Sequence, residues 1–236
     1  MIIGFSNGDF HRLYQDELER FSKDYIDIFS ANNLANALEL NCLNESHLDH
    51  ILNSSETTLS NFKYISLHAP DMAYQKDESS QRVLSKLASA VKKYNIKNIV
   101  FHTDKVKDWD VFLDYSTIPI SIENMDKSKE FGKTLEDIKS IIEKYNFNIT
   151  VDLQHFFTND SSMELARAFQ RKYKKRIVEY HLSGYDKKFL HYPLFKTGQD
   201  EIIKSVMYKD LPIIIESTFD KLGEEIKELN HITKLL

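Results

Sequence analysis

Ile149-Thr150-Val151-Asp152-Leu153-Gln154-His155 reads as a β-strand that runs into a carboxylate, with a histidine three residues beyond it. Apolar and β-branched residues fill its first half, which favours a pleated, buried strand. Five other apolar runs end in the same way. Tyr64-Ile65-Ser66-Leu67 ends on His68, Lys97-Asn98-Ile99-Val100-Phe101 on His102, and Ile120-Ser121-Ile122 on Glu123. Ile177-Val178-Glu179-Tyr180 ends on His181, and Ile213-Ile214-Ile215 on Glu216. One such ending is an accident of composition. Six of them point to one site built at one end of a sheet.

Two further runs, Ile2-Ile3-Gly4-Phe5 and Ala37-Leu38-Glu39-Leu40-Asn41, read as the first two strands. Between the runs lie helical patterns. Val83, Leu84, Leu87, Val91 and Tyr94 keep the helical period behind a cap at Ser79 or Ser80. Thr134 caps a stripe of Leu135, Ile138, Ile141, Ile142 and Tyr145. Asp160 or Ser161 opens a helix through Leu165, Phe169 and Tyr173, and Asn44 caps one through Leu48 and Ile51. Residues 11–25 also read as helical, residues 107–115 more weakly so, and Asp200 starts a short helix. Leu222, Ile226, Leu229 and Ile232 mark the last one. Strands alternating with helices imply a parallel sheet. Eight such units in 236 residues imply a closed (β/α)₈ TIM barrel, a single domain over 1–236. The strands read as apolar on both faces, as expected between a barrel core and a ring of helices. A doubly wound open sheet would need a phosphate-binding Gly-rich turn after the first strand, and Gly4-Phe5-Ser6-Asn7-Gly8 matches one poorly.

Composition narrows the function. The net charge of -5 argues against general nucleic-acid affinity, which needs surplus Lys and Arg. The one cysteine, Cys42, cannot form an internal disulfide and reads as a small buried hydrophobe, so a reducing compartment fits. No basic region followed by a long apolar stretch opens the chain, and no apolar run approaches a membrane span. A cytoplasmic protein with no membrane partner is expected.

In a barrel of this kind the active site lies at the carboxyl ends of the strands. One residue per strand end can point at the barrel axis. His68, His102, Glu123, Asp152, His181 and Glu216 would converge there, joined by His155 just past Asp152 and by His191 from the loop after strand 7. Five of the nine histidines thus share one mouth with three carboxylates. Without a cation the carboxylates would repel, and burying them would cost several kcal/mol or raise their pKa values. Imidazole and carboxylate together suit Zn²⁺, with Mn²⁺ or Fe²⁺ as alternatives. Glu123 could bridge two ions about 3.5–4 Å apart. His11, His47, His50 and His231 read as surface residues, and Glu39 as an ion-pair partner.

With these stretches in hand, the sequence resembles the divalent-metal-dependent TIM barrels that contain endonuclease IV (the AP endonuclease family 2 group) and the xylose-isomerase-like sugar isomerases and epimerases. His68-Ala69-Pro70, Phe101-His102, Ile122-Glu123-Asn124, Val151 to His155, His181-Leu182-Ser183, His191-Tyr192-Pro193-Leu194 with Gly198, and Ile215-Glu216 carry the resemblance. The endonuclease branch implies two or three zinc ions. His68 and His102 would hold one, with Glu123 bridging to a second completed by Asp152, His181 and Glu216. His155 and His191 would serve a third. That third site has an aspartate two residues before the last histidine in the endonuclease; here the place is Phe189, with Asp186 as a substitute. Pro70-Asp71-Met72-Ala73 does not match the endonuclease's DNA-inserting loop. The isomerase branch implies one ion on Glu123, Asp152, His181 and Glu216. Glu123 and Glu216 would then be the catalytic acid–base pair that moves a proton through an enediolate. An arginine common in that branch is replaced by Lys187 and Lys188.

Three readings follow. A multi-metal zinc hydrolase of phosphoesters uses every ligand, with a small phosphoester or abasic DNA as substrate. The alternative is a one-metal sugar or sugar-phosphate isomerase or epimerase, which has no evident use for His68 and His102. The third is a non-catalytic barrel that keeps the metal site for binding.

Overall fold

Each of these runs forms a strand in the computed structural model, which describes residues 1–31, 34–53, 56–187 and 191–236. The strands are β1 (Ile3–Ser6), β2 (Ala37–Asn41), β3 (Tyr64–His68), β4 (Asn98–His102), β5 (Ile120–Glu123), β6 (Asn148–Asp152), β7 (Ile177–Leu182) and β8 (Ile213–Ile215). All neighbours pair in parallel, and β8 pairs back with β1 to close an eight-stranded barrel in sequence order. Gly4 sits where β1 crosses closest to β2: a Cβ there would lie 1.7 Å from the Ala37 carbonyl oxygen. Only glycine allows that approach.

The crossovers are helical. They comprise α1 (Lys23–Ser30), α2 (Glu45–Asn53), α3 (Glu78–Tyr94), α4 (Leu135–Tyr145), α5 (Leu153–Asn159), α6 (Glu164–Tyr173), α7 (Leu194–Thr197), α8 (Asp200–Lys204) and α9 (Glu224–Leu235). Thr134 caps α4 as expected, through a reciprocal capping box with Asp137. Other boundaries differ from the sequence reading for identifiable reasons. Residues 11–25 do not form one helix: Asp16 caps a 3-10 turn over Glu17–Phe21, and Ser22 then restarts the chain as α1. Asp77, not Ser79 or Ser80, caps α3, because its carboxylate accepts the Ser80 N–H while the Ser80 hydroxyl accepts from Gln75 N. After Asp160 the chain turns once more before α6, with Met163 in the left-handed region. Residues 107–115 hold only a 3-10 turn over Trp109–Phe112. The last helix starts after Leu222, which is 60% exposed, and Ile226 also faces out; Leu229 and Ile232 carry its packing.

The strands are not apolar on both faces. Leu38, Leu40, Ile65, Leu67, Ile99, Phe101, Ile149, Val151, Tyr180 and Leu182 join the main core with the helices. The alternate residues face the axis and are mostly polar. Ala37, Tyr64 and Ile214 form a small separate apolar floor with Ile2. Above it lie Glu39, Ser66, Asn98, Ser121, Thr150 and Glu179, all 1% exposed or less. Asn98 Nδ2 reaches across the barrel to Thr150 Oγ1 and Glu179 Oε1, each at 3.0 Å, and Ser121 Oγ meets Thr150 Oγ1 at 2.7 Å. Hydrogen bonds satisfy part of this polar layer, but both Glu39 oxygens, Ser66 Oγ, Asn98 Oδ1 and Glu179 Oε2 are buried without a hydrogen-bond partner. Cys42 is buried, as expected of a small hydrophobe.

Candidate metal centre

The strand ends arrive in register. His102 pairs with Glu123, Asp152 with His181, and Asn41 with His68. Because side chains alternate, the residues of each pair project to the same face. The sequence places His155 where the chain enters a loop. In the structure β6 stops at Asp152, whose carboxylate caps α5 by accepting the His155 N–H at 2.7 Å. His155 therefore sits in the first turn of a helix. Asn124 ties this corner together. Its side chain donates to the Asp152 carbonyl (2.8 Å) and accepts the Asp152 N–H (2.9 Å), in place of strand pairing. Its carbonyl accepts from His155 Nδ1 at 2.8 Å. A carbonyl can only accept, so Nδ1 carries the proton and Nε2 keeps its lone pair.

Glu123 is the centre of the arrangement. Its Oε2 faces His102 Nε2 at 3.1 Å and His68 Nε2 at 3.6 Å. Its Oε1 faces the other way, 3.3 Å from His181 Nδ1 and 3.7 Å from His155 Nδ1. His68 Nδ1 donates to the Ala69 carbonyl at 3.2 Å, which leaves Nε2 as the ligating atom, 3.0 Å from His102 Nε2. His181 Nδ1 also lies 3.1 Å from Glu216 Oε2. Two groups of donor atoms result: His68, His102 and Glu123, and then Glu123, Asp152, His181 and Glu216. Glu123 belongs to both.

His155 and His191 come close, with ring centroids 5.7 Å apart, but join no group of three donors among the described residues. His191 takes a left-handed backbone (φ 57°), pinned by Thr218 N–H to its carbonyl, and its Nδ1 lies 3.1 Å from Ser183 Oγ. Among the described residues no third donor joins His155 and His191 to complete the third site that the resemblance implies. Phe189, on which that expectation also turned, and Lys188, read with Lys187 in place of the isomerase branch's arginine, lie outside the described residues.

A third group does not stand out in the sequence: Glu39, Glu179 and His181, all fully buried. Glu39 does form the ion pair read from the sequence, with His181. Sequence reasoning misses Glu179. Counting back two residues from His181 along β7 would find it, since that step returns to the same face. His47 is not the surface residue that the sequence suggests. It is 1% exposed, and its Nδ1 accepts the Leu43 N–H at the start of α2.

The electrostatics follow from burial against mutual charge. Burial lowers the His68 imidazole, but Glu123, Glu39 and Glu216 outweigh it and raise it to about 9. Burial likewise opposes His181, and Glu216, Glu39, Glu123 and Glu179 outweigh it, so it stays well above the usual range. His102 is lowered by burial and by His68 beside it. His191 falls to about 4, chiefly through burial. Burial raises Asp152 to about 7 against the pull of His155. Burial also raises Glu39 to about 7, against His181. Glu123 is held well below the carboxylate range, despite burial, by His102, His181 and His68. Glu216 is held low by His181 and His191 against its burial.

The donor atoms fit a divalent cation. Glu123 Oε2, Asp152 Oδ2 and His181 Nδ1 are buried with no hydrogen-bond partner. Buried polar atoms are otherwise paired in folded proteins. All three belong to the group of Glu123, Asp152, His181 and Glu216. A cavity of about 520 Å³ opens above them, walled on the β1 side by Asp9, Tyr14 and Arg20. Of the described residues that line it, Arg20 is the only lysine or arginine, against carboxylates from Asp9, Asp16, Glu17, Asp71, Glu123 and Glu216.

No protein-family model matches the sequence, and no curated protein matches it. Solved structures do. Endonuclease IV from Thermus thermophilus aligns with a TM-score of 0.65 at 12% identity, over 100% of this chain and 98% of that one. The 3-keto-D-glucoside 4-epimerase from E. coli gives 0.62 at 13% identity, over 100% and 98%. D-psicose 3-epimerase from Clostridium cellulolyticum, solved with D-tagatose, gives 0.60 at 12% identity, over 99% and 92%. The chain therefore has the xylose-isomerase-like (β/α)₈ barrel fold that both kinds of enzyme share. No helix among the described residues is long and apolar enough to cross a membrane.

Proposed function

We propose that the protein is a divalent-metal-dependent hydrolase of small phosphoesters, with a dinuclear centre bridged by Glu123. One observation carries the reading: the two oxygens of Glu123 face two different ligand groups, His68 with His102 on one side and Asp152, His181 and Glu216 on the other. A single-ion site leaves the first group without a purpose. Zn²⁺ suits the mixed imidazole and carboxylate donors best, with Mn²⁺ as the alternative. A pair of such ions supplies Lewis-acid activation of water and of the scissile ester. The chain's own residues do the rest. Glu123 and Glu216 line the cavity floor and hold there the negative charge that a pair of cations would neutralise. Asn124 fixes Asp152 and His155, so their donor atoms need no rearrangement when substrate enters. The described walls favour a small substrate: among the described lining residues, one arginine among six carboxylates gives no track for a phosphate backbone. Abasic DNA is accordingly the poorer substrate of the two.

A second reading rests on the second group alone. Glu123, Asp152, His181 and Glu216 make a complete four-ligand site, and two of the structural neighbours are epimerases. The protein would then isomerise or epimerise a sugar or sugar phosphate, with Glu123 and Glu216 exchanging the proton.

His68→Ala and His102→Ala separate the two readings. Hydrolysis of bis-p-nitrophenyl phosphate should fall by about 10²- to 10³-fold in each variant, with loss of one ion per chain. Turnover of a ketose or sugar phosphate by the wild type, unchanged in both variants, would overturn the dinuclear reading in favour of the isomerase.

A further inference from the structure

The edge of His181 that faces away from the cavity meets two acids that the proposed reaction does not use. Glu39 comes from β2 and Glu179 from β7, strands that are not neighbours in the barrel, and both side chains are fully buried. His181 Nε2 lies 3.1 Å from Glu39 Oε2 and 3.3 Å from Glu179 Oε1. On the opposite edge, Nδ1 lies 3.3 Å from Glu123 Oε1 and 3.1 Å from Glu216 Oε2. The ring is thus held between four carboxylates, two on each edge. Glu179 is itself anchored, since Oε1 accepts from Asn98 Nδ2 at 3.0 Å. Both Glu39 oxygens and Glu179 Oε2 are buried without a hydrogen-bond partner. Two carboxylates placed so deep are costly unless something nearby offsets their charge. The Nε2 edge of His181 is the ionisable group that both of them face.

We propose that Glu39 and Glu179 are positioning residues for His181. They hold the proton of the neutral ring on Nε2, so that Nδ1 keeps a lone pair directed at the Glu123 and Glu216 side. A ligating histidine commonly hands its second ring nitrogen to a carboxylate, which fixes tautomer and orientation and makes the free nitrogen more basic. Here two carboxylates share that task, and the polar layer below holds one of them through Asn98 and Thr150. The inference rests on the metal-centre reading: with two carboxylates at matching distances on each edge, it is a cation on the Nδ1 side that leaves the proton to Nε2.

The test separates the two. Protein labelled with ¹⁵N at histidine, with His181 assigned through its loss in His181→Asn, reports the tautomer by two-bond ¹H–¹⁵N correlation. A proton on Nε2 is expected in zinc-loaded protein, with the zinc shift on Nδ1. Glu39→Gln and Glu179→Gln should each weaken zinc affinity at the His181 site by about 10- to 100-fold. The ion held by His68 and His102 should stay. The double Gln variant should bind zinc at the His181 site more weakly than either single variant while still melting cooperatively. A neutral ring protonated on Nδ1 in zinc-loaded protein, zinc seated at Nε2 between Glu39 and Glu179, or an affinity within about twofold of wild type in the folded double variant would each overturn the proposal. A wild type that binds no zinc would sink the metal-centre reading and the positioning with it, whereas wild-type zinc affinity kept in the folded double variant would sink the positioning alone.

Discussion

Glu123→Gln is expected to empty both ion positions and to cut phosphodiester hydrolysis by on the order of 10³-fold or more, the largest single loss in the molecule. The reason is geometric. The carboxylate is 1% exposed, so it cannot swing to serve one side only. Its Oε2 serves His68 and His102, and its Oε1 serves the His181 side. An amide of the same shape removes the charge and turns one of these two atoms into a donor, which repels a cation instead of binding it. His102→Ala, by contrast, should cost one ion and leave the other, because Asp152, His181, Glu216 and Glu123 remain together. Elemental analysis of the two variants beside the wild type, with initial rates on the same samples, checks the contrast. Wild-type metal content in Glu123→Gln would contradict the bridging role.

The second large effect is a reversal in how stability depends on pH. In metal-free protein Asp152 and Glu39 are raised to about 7, His68 to about 9, and His181 well above its usual range. Each of these groups binds its proton more tightly folded than unfolded. Their contribution is therefore complete below the unfolded pKa, near 4 for the carboxylates and near 6.5 for the histidines, and is lost as pH rises through the folded value. Glu123 and Glu216 are depressed and act oppositely, but their loss falls at pH below the carboxylate range. His102 and His191 are lowered and act oppositely too, but their gain is complete by the unfolded histidine value near 6.5. Between pH 7 and 9 the metal-free protein should thus become less stable as pH rises, by roughly 5 °C or more in Tm. Bound ions demand deprotonated ligands, so saturating zinc should invert the trend and raise Tm most at the alkaline end. Thermal melts across this range, with chelator and with zinc, decide the matter. Parallel curves for the two conditions would show that these groups do not meet a cation.

Much of this is legible in the sequence, and for a physical reason. Barrel strands are short and buried, so each reads as an apolar run, and a charged or imidazole residue at its end stands out. His68, His102, Glu123, Asp152, His181 and Glu216 all lie at such ends, and the structure gathers them. The inner polar layer is hidden. In Ile213-Ile214-Ile215 the inward Ile214 is apolar, whereas in β7 the inward Glu179 is charged, so no single pattern marks the barrel interior. Helix starts are blurred where several capping residues lie close together, as at Asp77 and the serines that follow it. His47 is misjudged because its burial goes with a bond to Leu43 N at a helix start, which periodicity does not register. His191 is set by a tertiary bond from Thr218, and no local pattern announces it.

Whether Glu123 joins two ions is tested most directly by anomalous diffraction at the zinc edge, on crystals of protein purified without a histidine tag and saturated with zinc. Two peaks are expected about 3.5–4 Å apart, one beside His68 and His102 and one beside Asp152, His181 and Glu216, with Glu123 between them. One peak on the second group alone, with His68 and His102 bare, would contradict the bridge.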